Sequence, residues 1–301
     1  MSEKGVTAAQ EESRVISLKL RILQAFFADK AGVTGLVLLA IMLLCAILAP
    51  QIAPQDPLTQ DLRNRFCPPV WAEGGSRDHI FGTDELGRDV LSRTIFGARV
   101  SLTLGFTSAT ISLVIGTAMG VIAGYRGAGL DSIVMRVADI QLSMPFYVIG
   151  IAVVAALGPG FRNLLILLSL WGWTFYGRIA RGEVLTAREE DYIHAARVIG
   201  AGELRIMFRH ILPNILSPLI VIWTLSIATM ILAESGLSYL GLGIRPPTPS
   251  WGIMLSRGQR HLATAWWLSI FPGLALMVTI LSINLVGDAL RDALDPHSWR
   301  G

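Results

Sequence analysis

Six runs without a charged residue, 31–49, 100–124, 140–161, 163–177, 211–233 and 262–287, limit what this chain can fold into. A helix needs roughly 20 apolar residues, range about 17 to 25, to cross the hydrocarbon core of a bilayer. Five runs meet that length, and the fourth reaches it by taking in Ile179 and Ala180 past Arg178, whose guanidinium can snorkel to the interface. With 52% hydrophobic and 16% charged residues and a mean hydropathy of +0.56, the chain is too apolar for an ordinary water-soluble domain. Lipid offers no partner for an open sheet edge, so the expectation is an all-α membrane protein of six transmembrane helices.

Lys19, Arg21 and Lys30 precede the first run in the manner of a signal peptide. That run is too long for a signal core and leads into Pro50 and Pro54 without a small-residue cleavage site, so an uncleaved first span is expected. Residues 1–14 are polar and read as a mobile tail. With the amino terminus in the cytoplasm, 15 of the 25 Lys and Arg fall on the cytoplasmic side, a modest positive-inside bias. Parity then puts both termini on the side of the 188–210 loop. The sequence pI near 9.1 does not indicate nucleic acid, because the arginines are spread along the loops among acidic residues. Cys45, inside the first run, and Cys67, in the following loop, imply neither a disulfide framework nor a metal site.

One polar segment interrupts the second half of the chain. Between Arg188 and Pro213, Tyr192, Ala195, Ala196 and Ile199 recur at helical spacing, and Leu204, Met207, Phe208 and Ile211 do so again after Gly200-Ala201-Gly202. The spacing predicts two short amphipathic helices broken at Gly200, which can take a positive φ. Pro213 then marks where a new helix enters the membrane. Such a segment either lies as a helix pair on the bilayer surface or docks a soluble partner.

A second informative segment is the loop of about 50 residues between the first two runs, which this topology makes external. Thr83 or Asp84 could cap a short helix there, with Leu86, Val90, Leu91 and Ile95 on one side and Arg88, Asp89 and Arg93 on the other. Elsewhere, Gly116, Gly120 and Gly124 repeat at a spacing that lets helices pack closely, and Pro145 and Pro159 can kink or end the third span. Asp139 and Arg136 read as a local ion pair, and Trp171, Trp173, Trp266 and Trp267 as interfacial anchors or packing residues.

The order His194-Ala195-Ala196, three residues, Gly200, then Leu212-Pro213 resembles the Glu-Ala-Ala loop of bacterial ABC-importer permeases, where an ATPase subunit docks. His194 stands where that pattern has glutamate, and His210 where it usually has isoleucine. Further blocks resemble the dipeptide, oligopeptide and nickel permease family: Gly82-Thr83-Asp84, Gly87-Arg88-Asp89, Ser92-Arg93 and Gly97-Ala98-Arg99; Gly241-Leu242-Gly243 with PPTPSWG at 246–252; and Gly287 to Pro296. The stretch PPVWAEGGS at 68–76 is most similar to the dipeptide branch.

The resemblance implies the C-type subunit of such an importer, with the type I permease fold. Its expected layout is a cytoplasmic tail 1–30, a first span 31–49, an external loop 50–99 with an amphipathic segment, a five-helix core 100–287 containing the coupling loop 188–210, and a cytoplasmic tail 288–301. It implies a multi-pass protein of the bacterial cytoplasmic (inner) membrane, in contact with lipid. The implied partners are a second homologous permease subunit in a heterodimer, two ATP-binding subunits and an external substrate-binding protein. Coupling falls to Tyr192, His194, Ala195, Ala196, Gly200, Glu203 and Arg205, and the external loop motif to Asp84, Gly87, Arg88 and Asp89.

Enzyme chemistry finds little support: there is no His-Glu-x-x-His and no Gly-x-Ser-x-Gly. No P-loop exists either, because the three lysines, Lys4, Lys19 and Lys30, precede Gly5, Leu20 and Ala31 rather than Ser or Thr. ATP and Mg are therefore expected on the partner ATPases, with no cofactor on this chain. An ion-coupled carrier needs ionisable groups or broken helices near the midplane. Glu234 lies about 23 residues into its helix, roughly 35 Å along it, and is expected at the external interface as a gate or substrate contact. The remaining alternatives are an accessory membrane scaffold and a channel without ATP coupling.

Overall fold

The computed structural model describes residues 20, 21 and 23–294. Most of the expected tail 1–30 and the end of the tail 288–301 lie outside these residues. Among those described there is no β-strand, only an isolated antiparallel bridge between Thr83 and Asp89. The long helices are α1 (Lys30–Ile47), α2 (Val90–Arg126), α3 (Ala128–Leu142), α4 (Phe146–Leu157) and α5 (Phe161–Ala187). They continue with α6 (Asp191–Val198), α7 (Glu203–Tyr239), α8 (Trp251–Gly258) and α9 (Trp267–Leu294).

Helices α1, α2, α7 and α9 are long and apolar enough to cross a membrane, and α3 with α4 forms a fifth such unit, bent by 89°. The sixth expected crossing falls in α5, which has the length at 27 residues but is less apolar because it carries Arg162, Arg178, Arg181 and Glu183. It nevertheless belongs to the bundle through α2. Gly116 and Gly120 lie so close to α5 that an added Cβ would come within 2.3 Å of the Trp173 carbonyl and 2.4 Å of the Gly177 carbonyl. The small-residue spacing thus serves backbone-to-backbone packing.

Helix α7 runs between α2 and α9, and α1 lies along α9, where Gly32 faces Ala289 and Gly35 faces Leu285. Among the described residues, two larger apolar cores are accompanied by two smaller clusters. Leu104, Leu164, Leu168, Ile231 and Trp251 fill the half nearer the 50–89 loop. Tyr176, Val184, Ile206, Ile211 and Leu219 fill the half nearer residues 188–203.

The helices depart from the sequence expectations at several points and meet them at others. The third run is bent at Pro145, one of the two prolines expected to kink or end it: Pro145 disfavours helical backbone at Met144 and itself caps α4, so the chain turns sharply between α3 and α4. The helix expected from Thr83 or Asp84 starts instead at Val90 and continues without a break to Arg126. Its cap is Asp89, whose carboxylate accepts from the Ser92 N–H at 2.8 Å, whereas Asp84 is occupied by the turn before it. The second short helix after Gly200 is the start of α7 rather than a separate element. Ile206, Met207, Ile211, Ile215 and Leu219 are all buried, so one apolar face carries the helix onward. A wide π turn over Ile206–Ile211 accommodates Pro213, which has no N–H to donate. Asp139 pairs with Arg178 of α5 rather than with Arg136. The last helix passes the expected end at Gly287 because Ala289 and Ala293 are buried on the same face.

Candidate functional site

At the end of the bundle opposite the 50–89 loop, α6 is held by one face and presents the other. Ile193 and Ala196 are buried against Ile206, Met207 and Ile211. Gly200, at φ +80°, stops the helix: its N–H donates to the Arg197 carbonyl, and the Ala201 N–H donates to the Ala196 carbonyl, both at 3.0 Å. This pair of bonds is a Schellman closure, and it needs a left-handed residue at that position. No atom lies within 4 Å of where a Gly200 Cβ would stand, so glycine is required by the backbone alone.

On both sides of the closure the chain exposes apolar side chains. Val198 is 87% and Ile199 84% exposed, with Leu204 and Phe208 exposed beside them. Tyr192, His194, Ala195, Gly200, Glu203 and Arg205 are exposed as well, whereas Ala196 is buried and holds the helix to the bundle. The expected stripe of Tyr192, Ala195, Ala196 and Ile199 is therefore rotated, and Ile193 with Ala196 faces inward instead. Val198 was not singled out by sequence reasoning; the Ile193–Ala196 spacing, read as the inward face, leaves Val198 on the outward one. The expected second stripe is split, with Met207 and Ile211 buried and Leu204 and Phe208 exposed.

Polar contacts fasten this end to its neighbours. The Asn214 amide donates to the Tyr192 hydroxyl at 2.8 Å, joining α6 to α7. Arg197 lies over the Tyr125 ring at 5.6 Å, and Arg188 donates to the Gly124 carbonyl at 3.2 Å, both at the end of α2. Arg181 binds Asp131 through two nitrogens, linking α5 to α3. Arg126 and Glu203 approach to 3.5 Å, but both are largely exposed, and such pairs contribute little.

Glu234 does not reach an exposed interface. It is 0% exposed, and its carboxyl accepts from Ser101 of α2 at 3.0 Å and from Ser238 at 2.6 Å, with the Ser235 and Ser250 hydroxyls also in reach. The end of α7, α2 and the cap of α8 meet at this one group. Residues 241–252 fold back over α7, with Gly252 against Ser235 and Ser238 and the Trp251 indole N–H donating to the Thr94 carbonyl at 3.0 Å.

The motif of Asp84, Gly87, Arg88 and Asp89 forms a compact knot of buried charges rather than a solvent-facing helix surface. The Arg88 Nε donates to Asp84 at 2.7 Å, and Asp84 also accepts from the Leu86 and Arg88 backbone. Gly87, at φ +72°, closes the turn against the Asp61 carbonyl. Asp89 caps α2 and meets His79 at 3.2 Å. Arg93 donates to the Pro57 carbonyl at 2.9 Å, and Arg257, just beyond the knot, reaches Glu85 at the same distance.

Comparison with known proteins bears on both ends of the molecule. Residues 116–300 match the binding-protein-dependent transport system inner membrane component family, and residues 17–69 match the N-terminal TM domain of oligopeptide transport permease C. The chain is 45% identical to the dipeptide transport system permease protein DppC of Escherichia coli K12, over 95% of this chain and 97% of that one. It is 44% identical to the di/tripeptide transport system permease protein DppC of Pseudomonas aeruginosa, over 91% and 90%. Among solved structures, the MetNI methionine ABC transporter in its inward-facing form matches with a TM-score of 0.53 at 20% identity, covering 67% of this chain and 97% of that one, a likeness of fold. This chain is a multi-pass membrane protein that belongs to the family of binding-protein-dependent transport system inner membrane components, the permeases of ABC importers.

Proposed function

We propose that this chain is the permease subunit that forms half of the translocation path of an importer for di- or oligopeptides. Its relatives named as dipeptide and di/tripeptide permeases support the substrate class. The proposed assembly adds a second homologous permease, two cytosolic ATP-binding subunits and an external substrate-binding protein, with both termini and residues 188–210 in the cytoplasm.

The observation that carries the coupling role is the exposed apolar tip of Val198 and Ile199 on a helix whose other face is buried. A helix anchored on one side by Ile193 and Ala196 can transmit a push into α7, because the same inward core includes Ile206 and Met207. Movement of the ATPases would tilt α6 and α7 together and reorient the bundle between inward- and outward-open states. Ala196 has a positioning role in this scheme, while Tyr192, His194, Ala195, Glu203 and Arg205 surround the contact.

Charged replacements at the tip test this reading. Val198→Asp combined with Ile199→Asp should leave the chain in the membrane but reduce co-purification of the ATP-binding subunits and substrate uptake. Unchanged association and uptake would assign the tip to the bilayer surface instead.

A further inference from the structure

Trp71 is 59% exposed, yet its ring packs against two others. It meets Phe81 edge-on at 6.2 Å and Phe271 at 6.0 Å, while Phe81 stacks on Phe271 at 4.0 Å. Phe271 belongs to the first turns of α9, so the aromatic contact joins the 50–89 loop to the end of a membrane-length helix. Trp266, just before that helix, approaches Phe271 at 5.9 Å from another side.

Below this cluster, Ile270, Leu274, Met277 and Leu281 are all exposed along one face of α9 at helical spacing. From Ile270 to Leu281 this stripe descends about 16 Å, roughly half the hydrocarbon thickness. A face of that length and composition on a crossing helix suits contact with acyl chains, and Trp71 stands at its upper edge. Val70 and Ile80, exposed beside Trp71 and joined by a backbone hydrogen bond at 3.1 Å, extend the apolar surface into the loop, with exposed Arg77 close by in sequence.

We propose that Trp71, with Val70 and Ile80, lies in the headgroup layer of the bilayer and anchors the 50–89 loop to lipid at the end of α9. The depth is the one at which an indole is most favourably placed, with its apolar body toward the acyl chains and its N–H toward water. The anchor is continuous with the charged knot, because the Trp267 indole N–H donates to the Thr83 carbonyl at 3.1 Å. Lipid contact at Trp71 therefore fixes the height of the Thr83–Arg93 segment above the membrane.

The test is a nitroxide placed by Trp71→Cys, with Cys45→Ala and Cys67→Ala, in the full chain and the complex with which it purifies, reconstituted in phospholipid nanodiscs. Collision with oxygen should exceed collision with a water-soluble nickel chelate, at a depth shallower than for a label placed by Leu274→Cys. Dominant nickel collision would put the loop in water, and low collision with both reagents would put a protein partner over Trp71; either overturns the proposal. If the labelled variant does not assemble, Trp71→Phe read against brominated phospholipids serves instead. Loss of part of the lipid-quenched tryptophan fluorescence is the expected result, and unchanged quenching overturns the proposal.

Discussion

The Ser101 hydroxyl donates to the Glu234 carboxyl at 3.0 Å, so residues 133 apart in sequence tie α2 to α7 inside the bundle. A carboxyl taken out of water is costly unless its oxygens are matched by donors. Here the serines match them, and they come from α2, α7 and the start of α8. The contact therefore acts as a three-way joint in the half of the bundle nearer the 50–89 loop.

Glu234→Ala should remove the shared acceptor and leave the Ser101 hydroxyl without its partner. The expected loss is on the order of 1 to 3 kcal/mol, the range for leaving a buried hydrogen-bonding group without its partner. Glu234→Gln, which keeps one acceptor oxygen and the volume, should lose less. Thermal denaturation of the detergent-solubilised protein checks the order, and equal stability of Glu234→Ala and the parent would show that the joint carries no load.

Gly87 and Gly200 both hold positive φ, at +72° and +80°, but only one of them is crowded. A Cβ at Gly87 would stand 1.7 Å from the Asp61 carbonyl oxygen, while nothing approaches a Cβ at Gly200 within 4 Å. Alanine at Gly200 should cost roughly 1 to 2 kcal/mol from backbone strain alone. Alanine at Gly87 should cost more, because Asp61 and the turn through Asp84 and Arg88 must also move. Comparing the two variants by limited proteolysis of the 50–89 loop and by thermal denaturation separates strain from collision, and a milder effect at Gly87 would contradict the packing described.

Topology is read most directly from chemical labelling. With the 50–89 loop outside, a membrane-impermeant maleimide applied to intact cells should modify Cys67 and spare Cys45, which lies within α1. Cys67 is half-buried, with its sulfur near the Pro68 and Gly74 carbonyls, so slow labelling is expected. Glu73→Cys, at an exposed position in the same loop, should label rapidly. Protection of both loop positions in cells, with reaction only after lysis, would reverse the orientation.

The apolar runs made the helices legible because a crossing segment must satisfy its backbone internally and present apolar side chains to lipid. Periodicity alone did not show which elements join. The break between α3 and α4 depends on one proline, while Pro213 and Pro218 stand inside α7, where a π turn and the surrounding packing accommodate them. The closure at Gly200 was readable because two apolar stripes are separated by a glycine. The inward face of α6 was not, since Tyr192, Ala195 and Ala196 match helical spacing as well as Ile193 and Ala196 do. Burial of Glu234 was likewise hidden: counting residues along one helix ignores the chain from Gly241 to Trp251, which folds back over its end.

The sharpest test of coupling is Gly200→Val. A β-branched residue opposes the left-handed backbone on which both closing hydrogen bonds depend, the Gly200 N–H to Arg197 and the Ala201 N–H to Ala196. The strain of roughly 1 to 2 kcal/mol falls on a short surface helix, while the apolar cores that hold the bundle remain untouched. Membrane insertion and pairing with the other permease should therefore persist. The direction in which α6 presents Val198 and Ile199 should change, weakening association with the ATP-binding subunits or lowering uptake per ATP hydrolysed. Arg205→Glu should give a smaller loss, because Arg205 is exposed near the tip and the inward core does not depend on it. Uptake and ATPase association both equal to the parent in Gly200→Val would show that the segment lies on the bilayer and transmits nothing.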